Sequence, residues 1–191
     1  MATMTMPMIM PRYRFTVADY ELMGQAGILT EDDRVELIDG EIIVMSPIGP
    51  RHALCVAFLT RQLAKQTPDD TLIFVQSPVH LPDHSEPQPD LALVRKLSGQ
   101  SLPTPADVLL LIEVSDSTLA YDRDVKFPLY AAAGVPEAWL VDLAAGRIER
   151  HTEPGATGYR AIIRAERGGT IASTTIPALT IAVDAILDTN G

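Results

Sequence analysis

A single cysteine, Cys55, leaves an internal disulfide without a second thiol and excludes any multi-cysteine zinc cage. Bases are scarce beside acids, 15 against 25, giving a net charge of −10 and a pI near 4.7. That balance excludes a generally basic nucleic-acid coat protein, whose affinity comes from neutralising many phosphates. It leaves room for an enzyme that touches a phosphodiester locally and offsets the charge with a metal ion. Aromatic residues make up only 5% of the chain, so stacking surface for a long strand is also short. Any grip on nucleic acid is therefore expected to be weak, local and metal-dependent.

Long apolar runs are missing as well. The most hydrophobic, Val108 to Val114, has seven residues and contains Glu113, far short of a bilayer span. The Met-rich start carries no base before Arg12 and no clear small-residue cleavage site. Residues 1–12 thus read as a flexible terminus rather than a signal peptide, and a soluble, cytoplasmic chain is the expectation. No G-x-S-x-G elbow, P-loop or G-x-G-x-x-G string is present, which removes local support for serine hydrolase, NTPase and dinucleotide readings. What remains, 191 residues with 47% hydrophobic and 21% charged content, suits one domain over residues 13–191 with a proper core.

Along the chain, Thr16 and Asp19 form a capping-box pattern ahead of a short helix limited by Gly24 and Gly27. Val35 to Met45 reads as a β-hairpin, because Asp39-Gly40 suits the positive φ values of a type I′ turn. His52, Val56, Leu59 and Leu63 then form one stripe of a helix from Arg51 to about Gln66. Strands follow at Leu72 to Val79, Asp90 to Val94 and Val108 to Val114, the last with the near-continuous apolarity of a strand buried on both faces. Tyr121 to Ala133 reads as a helix ending at Gly134, and Glu137 to Asp142 as another strand. A β-rich tail closes the chain, with Gly168-Gly169 as a hairpin turn. Strands separated by helices imply an α/β fold, a mixed sheet flanked by helices. Edge strands in the tail make a homodimer a reasonable expectation.

Three polar residues break local rules. Glu113 interrupts an apolar strand, where a carboxylate needs a metal or a buried base as partner unless it lies at a solvent-facing strand end. Asp90 opens a strand after Pro89, either aimed into a cleft or bonding nearby turn amides. Lys126 follows Asp122 by four residues, so an ordinary surface i,i+4 pair would account for it. Pro128, two residues later, removes a bond to the Asp124 carbonyl and predicts a kink. As a set, two carboxylates on neighbouring strands and an ammonium on the next helix suit Mg²⁺ or Mn²⁺, hard cations that complete their shell with water and phosphate. That is the chemistry of metal-assisted phosphodiester hydrolysis.

The strings RVELIDGEI, SPIGPRH, PQPDLALV, LLIEVS and DRDVK…Y…AGVPEAWLVD, in that order, resemble the Uma-two family of the PD-(D/E)XK nuclease superfamily. The resemblance covers about Tyr13 to Asp142 and, less distinctly, the tail. It implies a restriction-endonuclease-like fold and a Mg²⁺- or Mn²⁺-dependent endonuclease, DNA favoured as substrate. By position it implies Asp90 and Glu113 as metal ligands, with the Val114 carbonyl as a third. Ser115 stands where the superfamily motif has its lysine, and the helical Lys126 resembles the replacement. Glu36 and His52 resemble further site positions. From the residues alone, Glu36 is equally the solvent side of a hairpin and His52 a hydrogen-bonded core histidine. Cys55 reads as a packed thiol and His80 with His84 as a solvated loop pair. Two other functions are compatible with these residues: a non-catalytic binding or oligomerising protein on this scaffold, and a hydrolase of small phosphoesters.

Overall fold

A computed structural model describes residues 11–30, 32–97, 99 and 101–187. The Met-rich start, residues 1–10, lies outside the described residues; within 11–12, Arg12 is tied to Glu41 at 3.0 Å. The capping box forms as expected at the head of α1 (Val17–Gln25). Thr16 Oγ1 accepts the Asp19 N–H at 3.1 Å, and the Asp19 carboxylate accepts the Thr16 N–H at 2.9 Å. The hairpin of β1 (Val35–Ile38) and β2 (Glu41–Val44) turns through Asp39 at φ 51° and Gly40 at φ 79°, the paired positive values that a type I′ turn needs. Helix α2 (Pro50–Ala64) starts with proline in its first turn and buries Cys55, Val56, Leu59 and Leu63.

A six-stranded sheet forms the centre. Its order is β3 (Thr71–Val75), β4 (Leu91–Arg95), β5 (Val108–Ser115), β6 (Glu137–Asp142), β7 (Arg147–Gly155) and β8 (Gly158–Glu166). β5 and β6 run parallel, joined by the helical segment between them, and the other neighbours are antiparallel. The sheet is therefore mixed, as expected. Its two faces separate by the period of two along each strand. Leu91, Leu93, Leu110 and Ile112 join the core under α2, whereas Ala92, Val94 and Leu111 join the core on the opposite face. A small sheet of β9 (Thr170–Ala172) and β10 (Thr180–Ala182) follows, and α5 (Asp184–Leu187) packs on α2.

Some boundaries differ from the sequence reading. β3 ends at Val75, not Val79, because Gln76 takes φ 46° and turns the chain out of the strand. Asp90 precedes β4 instead of opening it. The helix read over Tyr121 to Ala133 is built as α3 (Leu119–Tyr121), a π-helical turn (Asp122–Lys126) and α4 (Phe127–Ala132). Phe127 donates its N–H to the Asp122 carbonyl five residues back, the widened bond of a π turn. Pro128 then falls in the first turn of α4, where the missing N–H costs least, so the expected disruption is absorbed by one wide turn. Glu137, which carried no signal in the sequence, is fully buried at the start of β6. It accepts from Trp139 Nε1 at 2.6 Å and from the Thr174 and Thr175 amides at 2.8 and 3.1 Å, fastening the β9–β10 loop.

The tightest turn gives a direct check. A Cβ on Gly40 would lie 2.6 Å from Arg14 Cβ and 2.9 Å from Arg14 Cα, on a residue already at positive φ. Gly40→Ala is expected to lower unfolding stability by about 1–3 kcal/mol in urea titration. Gly24→Ala, with nothing within 4 Å of its added Cβ, should be neutral or stabilising by up to about 1 kcal/mol.

Candidate active site

The antiparallel register of β4 on β5 pairs Leu91 with Ile112 and Ala92 with Leu111. One step further along the same register brings Asp90 beside Glu113, and the Asp90 N–H points to Glu113 Oε2 at 3.4 Å. Glu113 shares the Leu111 side of β5, so it faces α4 and the π turn. Both sit in a cleft of about 430 Å³ that Glu36, His52, Val114 and Lys126 also line. The hairpin contributes Glu36, α2 contributes His52, and the π turn contributes Lys126. All six residues singled out in the sequence thus meet in one place.

Lys126 is 5% exposed and makes two ion pairs, Nζ to Glu36 Oε2 at 3.0 Å and to Glu113 Oε1 at 3.1 Å. Its partners are therefore remote in sequence. Asp122, the partner in the surface-pair reading, instead accepts from Ser115 Oγ and Thr118 Oγ1, both at 2.6 Å. Glu113, 3% exposed, does not reach solvent at a strand end. Its Oε1 also accepts the Tyr130 hydroxyl at 2.5 Å, leaving Oε2 with the long Asp90 contact. Glu36 is 2% exposed, so the solvent-side reading of the hairpin fails for it. It accepts the Gln88 N–H at 3.0 Å and the Tyr121 hydroxyl at 3.4 Å. Asp90 Oδ2 accepts the Val114 N–H at 2.8 Å and lies 2.9 Å from His52 Nε2. His52 is half-buried, and its Nδ1 is buried with no hydrogen-bond partner.

Charge follows from burial. Loss of water pushes the Glu113 carboxyl up to about 8; Lys126 opposes that rise, while the Asp122 and Asp90 charges add to it. Burial by itself would lower the Lys126 ammonium, but Glu113 and Glu36 outweigh it and hold the group above its ordinary range. The hydrogen bond with Asp90 raises His52, against the opposing effect of burial. Tyr130 is raised well above the usual phenol range by burial and by the Glu113 and Glu36 charges, so it remains a donor.

The lining fits a hard divalent cation. Five carboxylates, Glu36, Asp90, Glu113, Asp116 and Asp122, share the cleft with two permanent cations, Arg34 and Lys126. Even with the raised Glu113 left out, four carboxylates face two cations, an excess that a divalent ion would offset. Asp90 and Glu113 are the residues whose oxygens could serve as donors, since Mg²⁺ is commonly held by only one or two carboxylates plus water. Val114 offers its amide to Asp90, so the backbone after Glu113 runs directly past the same position.

Tyr121 carried no individual signal in the sequence, while Tyr130 stood only as the tyrosine of DRDVK…Y and Asp122 only as a surface partner of Lys126. Tyr130 lies four residues after Lys126, on the same helical face, and that spacing alone could have found it. Tyr121 and Asp122 are brought in by the π turn, which ordinary helical spacing does not anticipate. Cys55 is buried and its thiol pushed up to about 12 by burial, an inert packed group as expected. The loop histidines are not a solvated pair: His84 Nδ1 lies 2.8 Å from the Phe15 carbonyl, and His80 faces Glu86.

Removing the shared cation tests this network. Lys126→Met strands two buried carboxylates, and urea unfolding is expected to show a loss of about 3–5 kcal/mol. Adding Glu113→Gln and Glu36→Gln to that variant should restore part of the loss. A single-variant cost under about 1 kcal/mol would show that the network contributes little.

No curated protein matches the chain significantly. A solved structure from Anabaena variabilis, described as a putative nuclease belonging to DUF820, aligns with a TM-score of 0.65 over 91% of this chain and 97% of that one. At 15% identity the likeness concerns the fold, and that fold is the mixed α/β architecture described above. Among the described residues no helix is long and apolar enough to cross a membrane. The Uma2 family model, described as "Putative restriction endonuclease", matches residues 17–184, a span that takes in every residue of the cleft. The chain belongs to the Uma2 family.

Proposed function

We propose that the chain is a metal-dependent endonuclease that hydrolyses phosphodiester bonds of nucleic acid, with DNA the favoured substrate. The observation that carries this reading is the meeting of Asp90 and Glu113 across two strands, beside a buried ammonium, in an acidic cleft. Family membership supports the same class of reaction.

Asp90 and Glu113 would hold Mg²⁺ or Mn²⁺, with the Val114 carbonyl as a further donor. Bound there, such an ion lowers the pKa of water and offsets charge on the phosphoryl oxygens. The Lys126 ammonium, fixed between Glu113 and Glu36, orients the attacking water or stabilises the charge that develops on the phosphate. His52 holds the Asp90 carboxylate in place through its 2.9 Å contact, and Tyr130 does the same for Glu113. Glu36 keeps Lys126 charged and aimed. The cleft's acidity makes binding of long polymer dependent on the metal and sensitive to salt.

A second reading has one observation in its favour. Asp90 and Glu113 already receive donors from within the chain, so the same residues also make a self-sufficient structural network on a non-catalytic scaffold. The two readings separate on metal binding. In a Mn²⁺ titration carried to about 10 mM, a weak range typical of such sites without substrate, the wild type should bind one equivalent more than Asp90→Asn/Glu113→Gln. Nicking of supercoiled DNA in Mn²⁺ should fall at least 100-fold in Lys126→Met relative to wild type. Equal or absent Mn²⁺ binding in both proteins would leave the carboxylates structural.

A further inference from the structure

A second cluster of potential ligands lies outside this cleft. Glu21, His80 and Glu86 each offer an atom within 4.8 Å of the others. Their convergence follows from local structure. The segment after β3 folds back on itself: the Val79 N–H donates to the Pro87 carbonyl, and the Leu81 N–H donates to the Ser85 carbonyl at 3.0 Å. That register sets His80 opposite Glu86. Helix α1 docks on the same segment through the Val17 N–H to the Asp83 carbonyl at 3.0 Å, with the Val17 side chain buried. Glu21 follows Val17 by four residues, so it projects from the docked face.

Glu86 sets this cluster apart from an ordinary acidic patch. It is 7% exposed, and its Oε2 is buried with no hydrogen-bond partner. The group it faces is His80 Nδ1, at 3.7 Å, beyond hydrogen-bonding reach. A buried carboxylate oxygen left so costs free energy unless something else meets it. The atom is aimed into the cluster, and the adjoining cavity is lined by both Glu21 and Glu86.

The geometry points to a second divalent-metal site, with Glu21, His80 and Glu86 as ligands and water completing the shell. One imidazole and two carboxylates suit a first-row ion of the Zn²⁺ type and disfavour Mg²⁺, which selects oxygen. Bond lengths of about 2.0–2.2 Å place tetrahedral ligands about 3.4 Å apart, so the cluster contracts on loading. Exposed Glu21 supplies that movement, while Glu86 and His80 sit on the folded-back segment. The ion clamps α1 to a strand-like segment that reaches the first site: the Glu86 N–H donates to the Leu37 carbonyl at 2.7 Å, and the Gln88 N–H donates to Glu36. The role is structural positioning, independent of whether the cleft is a nuclease.

The test is a Zn²⁺ titration of the full chain by calorimetry in 10 mM Mg²⁺, which occupies oxygen-only sites. One equivalent of Zn²⁺ should bind, raising the melting temperature. His80→Gln, a change at a partly exposed side chain, should weaken binding at least tenfold while the melting temperature without Zn²⁺ stays unchanged. Glu86→Gln should weaken it likewise, and Asp90→Asn should leave it intact. Co²⁺ in place of Zn²⁺ should give visible absorption bands that vanish in His80→Gln. Binding that survives His80→Gln, that is lost in Asp90→Asn, or that is absent from the wild type overturns the proposal.

Discussion

Glu36, Glu113 and Lys126 lie almost out of reach of water where a hairpin, a central strand and a π turn meet. Each is costly to bury alone, since an isolated charge in a protein interior loses several kcal/mol of hydration. None has a partner within its own element. The cluster is satisfied only when all three elements dock, so it links the correct assembly of the fold to the shape of the cleft. The surrounding hydroxyls of Tyr121 and Tyr130 complete the hydrogen bonding that two carboxylates around one ammonium leave open.

The position of the ammonium follows from this arrangement. Ser115 stands two residues after Glu113, and its hydroxyl bonds Asp122 rather than Glu113 or Asp90. That bond, together with the one from Thr118, anchors the head of the π turn to the end of β5. The widened turn swings Lys126 inward, and Pro128 can then begin the following helix without breaking a bond. The inward position of Lys126 therefore depends on three neighbouring features that act as one: the serine, the wide turn and the proline.

Buried carboxylates elsewhere are met in different ways. Glu137 takes neutral donors only, from an indole, two amides and hydroxyls, and fastens the small β9–β10 sheet. Glu149 is surrounded by arginines, with Arg123 at 3.3 Å and Arg164 at 2.9 Å. Both sets of donors hold their carboxylate closely. The cleft differs, because its carboxylates outnumber its cations and one oxygen of Glu113 has only a long contact. Glu86 differs again, with an oxygen that has no hydrogen bond at all. Those unbalanced positions, not the fully satisfied ones, are where a ligand has something to gain.

Much of this was legible from the chain alone. The Asp39-Gly40 turn, the stripe Val56, Leu59 and Leu63, the buried run of β5 and the mixed sheet all follow from local periodicity and turn chemistry, which act over a few residues. Glu113 was marked because a carboxylate violates that periodicity, and Asp90 because a proline precedes it. Other features depend on distant neighbours. Whether Glu36 faced water or the interior, and whether Lys126 paired with Asp122 or with Glu113, was undetermined by spacing. Pro128 signals an irregular turn but not its π form, and the role of Tyr121 and the burial of Glu137 had no local signature. The sequence by itself determined the elements and the residues with unusual chemistry, because propensity and periodicity are short-range. Only the tertiary structure decided which charges meet, because the desolvation that pairs them exists only once remote elements have excluded water between them.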